Sequence, residues 1–226
     1  TTAGMPMEPA TQVARKLLEQ SSVKEMVITA LGFAETLGAV RKLKAEYPSH
    51  LIQGYCGDLF LAGEPYAVEE GGSEPVRVGR GDEKQRRKIF DHMYGDFDVA
   101  YRESMLAKLL LSVRPDVVID SVNTATGISY QDVFTASQSV RASLDAEHGG
   151  GPALQAEVEK LLISLSIPQL VLHIRILNRA LREAGARMYL KIGTTGTGGM
   201  GLNIPYTHGE DKPSPQLLNK TAIAYA

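Results

Sequence analysis

The stretch that decides the fold covers residues 23–55 and reads VKEMVITALGFAETLGAVRKLKAEYPSHLIQGY. Its first part, 23–31, is short, apolar and rich in β-branched residues, which is typical of a buried strand. Residues 34–46 then carry leucine and valine at the three-to-four-residue spacing of a helix. Pro48 stops that helix before a second apolar run at 51–55. The stretch therefore predicts a strand, a helix and a second strand.

The same alternation recurs along the chain. Residues 10–19 have the apolar spacing of a helix, and a helix at 101–113 precedes an apolar strand at 116–121. A longer helix at 168–184 precedes a strand at 187–192. Strands that alternate with amphipathic helices need crossover connections, which give a parallel sheet with helices on both faces. We therefore predict an α/β fold with a doubly wound parallel sheet, a Rossmann-like three-layer α/β/α architecture that binds ligands beyond the carboxyl ends of its strands.

Length and composition predict one domain. The 226 residues, 43% hydrophobic and 22% charged, can bury one core and are few for two. Residues 63–98 interrupt the alternation with glycine, proline and charge, which indicates a surface insertion with a short helix near 84–92. We predict a single domain over 1–226 that carries this insertion.

Charge and cysteine content exclude several classes of partner. The formal net charge is -2, whereas nucleic acids and acidic membranes attract basic surfaces. No apolar run reaches the roughly 18 residues of a membrane-spanning helix. The single cysteine, Cys56, suits a reducing compartment, and the five histidines show no spacing typical of a metal site. We therefore expect a cytoplasmic protein that binds a small molecule, with no nucleic acid, membrane or metal.

A glycine-rich loop after the last predicted strand invites a phosphate-binding interpretation. Residues 191–210 read KIGTTGTGGMGLNIPYTHGE and contain G-x-G-x-x-G at 196–201. A phosphate-binding turn of this kind needs a helix directly after its glycines, because the free N–H groups of that helix hold the pyrophosphate. Pro205 and Gly209 oppose a helix there. The spacing alone does not predict a dinucleotide site in this loop.

Five local motifs and the order of elements resemble the extended branch of the short-chain dehydrogenase/reductase superfamily, which includes sugar-nucleotide epimerases and dehydratases. The motifs are AGMPMEPA at 3–10, GDL at 57–59, PDVVIDSVNTAT at 115–126, KIGTTGTGGMG at 191–201 and SPQLLNKTAIA at 213–223. The resemblance implies an NAD(P)-binding oxidoreductase for a small hydroxy or carbonyl substrate, such as a sugar nucleotide. It also implies a homodimer that forms through the helices predicted at 101–113 and 168–184. Since the family has a strand before the first motif and a substrate segment after the last, we expect the chain to be part of a longer protein.

The resemblance places cofactor contacts at strand ends. The candidate cofactor-binding residues are Gly4, Met7, Ala10, Asp58, Leu59, Val122, Asn123 and Thr124. Asp58 stands where the family accepts a hydrogen bond from the adenine amino group. Met7 replaces a glycine at a point where the backbone must approach a pyrophosphate, which departs from the family pattern. Residues 30–32 also lack the acidic residue that holds the ribose in NAD users, so NAD and NADP both stay open; Arg41 belongs more naturally to a solvated helix face than to a 2'-phosphate site.

The catalytic positions show one departure from the family. The candidate catalytic residues are Thr194, Thr195, Lys220 and Tyr206. By resemblance, the threonines offer the hydroxyl that binds the substrate oxygen, and Lys220 is the lysine of Y-x-x-x-K. The tyrosine of that motif is replaced by Gln216, whose amide cannot exchange a proton in this range. Tyr206 or His208 would have to supply the proton instead.

Other interpretations stay open beside the oxidoreductase. One is a non-catalytic binding or scaffolding protein of the same fold that has lost the tyrosine. Another is a nucleotide-binding enzyme of different chemistry, which would hold phosphate with the backbone amides of 194–201. The same residues also have purely structural explanations, because Asp58 and the threonines are common turn residues and Lys220 is expected on an exposed helix face.

Overall fold

The computed structural model describes residues 8–20, 22–75, 83–121, 133–145 and 151–191. The helices are α1 (Glu8–Leu18), α2 (Phe33–Glu46), α3 (Glu83–Tyr94), α4 (Phe97–Glu103), α5 (Met105–Val113), α6 (Val133–Asp145), α7 (Pro152–Ile163) and α8 (Ser166–Ala184). The strands are β1 (Glu25–Ala30), β2 (Leu51–Cys56), β3 (Tyr66–Ala67), β4 (Val117–Asp120) and β5 (Met188–Lys191). The protein is a mixed α/β structure, as the sequence predicts.

The first sheet contains β1, β2 and β3. Strands β1 and β2 are parallel with Ala30 opposite Cys56, and β3 adds an antiparallel edge. Alternate side chains of β2 are buried against α2, as expected for a strand with one covered face. At Gly54 an added Cβ atom would lie 2.8 Å from Cγ2 of Val40. Glycine at this point therefore lets α2 approach the sheet closely.

Helices α1 and α2 supply the core beside this sheet, and we call these two helices together with β1, β2 and β3 the first half. Their buried contacts with the sheet involve Ala14, Leu18, Val40, Leu43 and Ile52. Leu43 and Ile52 have no exposed surface. Cys56 is equally buried and packs with Phe33 and Val68 at the end of the sheet. The amphipathic spacing of α1 and α2 is thus used to cover one face of the first sheet.

The second sheet contains β4 and β5, which are parallel with Asp120 opposite Lys191. Helices α4, α5 and α8 form a core beside it, and Val118 of β4 packs against that core. We call these three helices together with β4 and β5 the second half. Helix α8 ends at Gly185, which has the left-handed conformation (φ 78°) that glycine adopts readily. The two sheets are separate among the described residues, whereas the sequence predicts one continuous sheet.

Further differences separate the predicted and observed elements. The helix predicted at 101–113 is two helices, because Ser104 is extended and its Oγ accepts a hydrogen bond from the Ala107 N–H at 3.4 Å. The antiparallel strand β3 and helices α6 and α7 have no counterpart in the prediction. The predicted helix near 84–92 is confirmed as α3.

Residues 57–64, which we call the linking segment, join the two halves. Gly57 has φ 142°, and a Cβ atom there would lie 2.6 Å from the sulfur of Met105. The Met105 N–H donates to the Leu61 carbonyl at 3.1 Å, and the Gly63 N–H donates to the Glu103 carbonyl at 3.0 Å. These bonds fix the segment after β2 to the junction of α4 and α5.

In the described part of the chain, no helix taken alone has the length and apolarity to cross a membrane. Helices α7 and α8 meet those requirements only as a pair, with a bend of 53° between them.

Candidate ligand site

The carboxyl ends of β4 and β5 carry a cluster of polar side chains. In their parallel register Val118 lies opposite Tyr189 and Asp120 opposite Lys191. Because alternate residues of a strand share a face, Asp120, Tyr189 and Lys191 lie on the same side of the sheet. This face is also the one on which Val118 meets the core below α8.

A single carboxylate oxygen organises this cluster. Oδ2 of Asp120 accepts a hydrogen bond from the Tyr189 hydroxyl at 2.7 Å and lies 2.9 Å from Nζ of Lys191. The Asp120 side chain is 14% exposed and that of Lys191 is 38% exposed, so the lysine is the member that solvent and ligands reach more easily. The cluster offers a cation and a phenol ring at a strand edge, both suited to a polar ligand.

Tyr189 is held as a neutral hydrogen-bond donor. Burial raises the pKa of its hydroxyl, and the hydrogen bond to the Asp120 carboxylate and the negative charge of that group raise it further. A tyrosine that transfers protons near neutral pH needs the opposite change in pKa. Tyr189 is therefore poorly suited to transfer protons near neutral pH.

His173 and Phe60 connect this cluster to the first half. The His173 ring on α8 lies 4.4 Å from the Phe60 ring of the linking segment, centroid to centroid. Burial lowers the pKa of His173, Asp120 raises it, and Lys191 lowers it. His173 is half-buried, which confirms the prediction of a packed histidine. The contact brings the segment after β2 next to the ends of β4 and β5.

Asp58 and Leu59 lie on the linking segment with clear structural contacts. Oδ1 of Asp58 accepts a hydrogen bond from the Phe60 N–H at 2.9 Å, which is the geometry of an Asx turn. Leu59 packs against the core formed by α4, α5 and α8. The turn interpretation of Asp58 is thus present in the structure, and its role in binding adenine stays a prediction.

Most of the other predicted site residues lie outside the described residues. These are Gly4, Met7, Val122, Asn123, Thr124, Thr194, Thr195, Tyr206 and Lys220. Ala10 is in the first turns of α1, which agrees with the predicted helix after the first motif. In sequence, Val122 follows Asp120 by two positions and Thr194 follows Lys191 by three.

The end of β1 presents acidic groups that come from the predicted insertion. Oε2 of Glu74 accepts a hydrogen bond from the Phe33 N–H, the first residue of α2, at 3.2 Å. Arg41 is exposed and forms a paired hydrogen bond and ion pair with Glu70. The expectation that Arg41 belongs to a solvated helix face is therefore confirmed.

Within the described ranges, no group of three or more histidine, cysteine, aspartate or glutamate side chains is arranged to hold a metal ion. The polar cluster at β4 and β5 contributes one carboxylate.

Sequence reasoning missed Asp120, Tyr189, Lys191 and His173 as members of one cluster. The sequence indicates this cluster only weakly, through Tyr and Lys at alternate positions of one strand and an aspartate at the end of another. A comparison with protein-family models found no match, and searches of curated proteins and of solved structures found none either.

Proposed function

We propose that the protein binds a nicotinamide dinucleotide across the ends of its strands and is an oxidoreductase similar to the short-chain dehydrogenases and epimerases, with a small hydroxy or carbonyl substrate. The observation that supports this most is the polar cluster in which parallel strands β4 and β5 end together. Ligands of open α/β sheets bind at such ends.

We also propose that the two sheets are parts of one doubly wound, Rossmann-like sheet. Among the described residues, β1 has only β2 as a neighbour and β4 has only β5. The proposal places β1 and β4 in the same sheet, because helices and strands alternate along the chain. The helices agree with this arrangement, since α1 and α2 share one core and α4, α5 and α8 share another.

The acidic groups beside β1 favour NAD over NADP in this proposal. A 2'-phosphate at the end of β1 would approach the Glu74 carboxylate, which already occupies the N-terminus of α2. Arg41, the cation considered for that phosphate, is bound to Glu70. A carboxylate repels a phosphate and accepts hydrogen bonds from ribose hydroxyls.

A second candidate function is cofactor or nucleotide binding without catalysis. The hydrogen bond from the Tyr189 hydroxyl to Asp120 favours it, because this bond already engages the tyrosine at the strand ends within the cluster. Gln216 adds to this, since an amide cannot take the role of the missing tyrosine. In this alternative the polar cluster binds and positions a ligand but catalyses no reaction of it.

Thermal unfolding with added nucleotides tests the binding proposal. NAD at a hundred times its dissociation constant should stabilise the protein by about 2.7 kcal/mol and raise Tm, while NADP should raise it less. Glu74→Gln should reduce the difference between the increases in Tm that NAD and NADP produce. Glu69→Gln, at an exposed neighbouring position, should leave this difference unchanged. Failure of both nucleotides to raise Tm at about millimolar concentration would overturn the proposal.

Turnover assays then separate the two functions. Nicotinamide-dependent turnover that is lost in Lys220→Ala would support the oxidoreductase. Saturable NAD binding with no turnover of hydroxy or carbonyl substrates would support the non-catalytic alternative.

A further inference from the structure

The outer face of α8 exposes a stripe of large apolar side chains. Ile167, Val171 and Ile174 are 73%, 52% and 61% exposed. Their spacing of four and three residues places them on one side of the helix, opposite the buried side that includes Ile176 and Ala180. Exposed apolar side chains that adjoin one another commonly mark an interaction surface.

Two adjoining hollows lie beside this stripe, and Ile167 and Val171 line the first of them. One has a volume of about 260 Å³ and an apolar lining that includes Met93, Val171 and Leu172. The other has a volume of about 580 Å³ and is lined by polar side chains that include Asn178 and Arg182. Phe97 and Arg175 line both hollows, so the two form one groove.

The groove is apolar at one end and basic at the other. Arg175 and Arg182 are exposed and make no ion pair within the described part of the chain. The Arg175 guanidinium lies 4.1 Å from the centre of the Phe97 ring, which holds it in the groove wall. Arg179, in contrast, is already paired with Asp98 and Glu183. The groove therefore presents two cations that have no carboxylate partner there.

We propose that this groove docks an amphipathic helix of a partner protein, with acidic residues beside the apolar stripe of that helix. Residues 167–182 of α8 span about 23 Å at 1.5 Å per residue, which matches a partner helix of roughly 16 residues. Apolar side chains of the partner fill the hollow beside Val171, and its carboxylates bind Arg175 and Arg182. Helices that dock in grooves use this combination of apolar anchors and flanking charge.

The same charges argue against a second copy of this chain as the occupant. A two-fold interface places the same surface of both copies together. Arg175 and Arg182 of each copy would then face a surface whose carboxylates, Asp98 and Glu183, are already bound by Arg179. Like charges that meet in an interface oppose association. An acidic partner removes this repulsion.

The probe for this proposal is a synthetic, fluorescently labelled helical peptide of about 16 residues, with leucines on one stripe and glutamates beside it. A matched peptide has lysine in place of each glutamate. Fluorescence anisotropy with the full chain, without nucleotide, should give saturable binding of the glutamate peptide and binding at least about tenfold weaker for the lysine peptide. Omission of nucleotide keeps the result independent of the proposed dinucleotide binding.

Protein variants locate the binding surface. The double variant Arg175→Glu and Arg182→Glu should weaken binding of the glutamate peptide at least about tenfold, and Val171→Asp in the apolar hollow should do the same. The control, Lys24→Glu with Lys88→Glu, changes the net charge equally at exposed positions before β1 and on α3, and should leave binding unchanged. Circular dichroism would establish that every variant is folded.

Four outcomes would overturn the proposal. The first is absence of saturable binding up to about 100 micromolar peptide. The second is equal binding of the two peptides, and the third is equal weakening by the control variant. The fourth is a wild-type dimer in light scattering that Val171→Asp converts to a monomer, which would assign the groove to a second copy.

Discussion

The two halves of the molecule are built differently around similar parallel strands. In the first half, β2 buries alternate side chains under α2, and Leu43 and Ile52 have no exposed surface. In the second half, all four residues of β5 are exposed to an appreciable extent, and its last residue takes part in a charged cluster.

The first half therefore contributes more to stability, and the second half carries the candidate ligand site. Free energy of folding comes mainly from apolar surface removed from water, so the first sheet and its helices contribute strongly to stability. The carboxyl end of the second sheet is polar and accessible, so this sheet buries less apolar surface than the first. Its stability therefore depends on the core between α5 and α8.

The largest expected effect comes from equivalent truncations in the two halves. Leu43→Ala should lower the free energy of unfolding by about 2 to 5 kcal/mol, because it leaves a cavity in a fully buried position. Leu190→Ala should cost at most about 1 kcal/mol, since Leu190 is 47% exposed. Denaturant titrations of both variants measure the two changes in the free energy of unfolding. Equal decreases would contradict the conclusion that the first half contributes more to stability.

A somewhat smaller loss is expected where the halves join. Gly57→Ala should destabilise the protein by about 2 to 4 kcal/mol, because an L residue is strained at φ 142° and its Cβ would press on Met105. Gly63→Ala is the control, since nothing lies within 4 Å of its added Cβ. Thermal unfolding of the two variants measures the difference. A Gly57→Ala protein as stable as the control would mean that the linking segment adjusts freely.

Removal of the carboxylate at the end of β4 should lower the stability of the protein moderately. Asp120→Asn should cost about 1 kcal/mol, because Lys191 is partly solvated and water screens the lost ion pair. It should also lower the pKa of Tyr189 toward its ordinary value, since the carboxylate that disfavours the phenolate is gone.

NMR titration of ¹³C-labelled tyrosine rings measures this change in pKa. Asp116→Asn, at the exposed amino end of the same strand, is the matched control. An unchanged pKa of Tyr189 in Asp120→Asn would contradict the hydrogen-bonded cluster.

The smallest expected effect is a dependence of stability on pH through His173. Burial lowers the pKa of this residue in the folded protein below its ordinary value of 6.5. The unfolded chain therefore takes up the proton first, so stability is complete above about pH 6.5 and falls as the pH drops toward the folded pKa. Asp120 and Lys191 face His173 and act in opposite directions on its pKa.

His173→Phe keeps a ring against Phe60 and removes the titration. Its Tm should therefore change less between about pH 7 and pH 5.5 than that of the wild type. His92 is also buried with a lowered pKa, so part of the dependence should persist. Identical pH profiles for the variant and the wild type would exclude a contribution of His173.

Local pattern predicted most elements with small errors at their ends. The helix predicted at 34–46 is observed as Phe33–Glu46, and that predicted at 168–184 as Ser166–Ala184. Apolar spacing suffices there because each helix buries one face. The break at Ser104 was not predictable in this way, since serine is tolerated within helices and only its hydrogen bond to Ala107 reveals a cap.

The candidate site was less predictable than the fold. The sequence indicates that strand ends carry polar residues, but which ends meet depends on strand pairing and register. Asp120 and Tyr189 are 69 residues apart in the chain and form a hydrogen bond only because β4 pairs with β5 in parallel. A contact between Phe60 and His173 also depends on how the linking segment crosses the molecule, which no local pattern encodes.

Cys56 gives the first half a reporter of its own. It is the single thiol of the chain, and it lies fully buried beside Phe33 and Val68. A thiol reagent can react with it only when this end of the sheet opens, so the reaction rate measures the opening of the first half without any engineered label. Compared with the rate of global unfolding, this rate would show whether the first half opens alone or together with the rest of the protein.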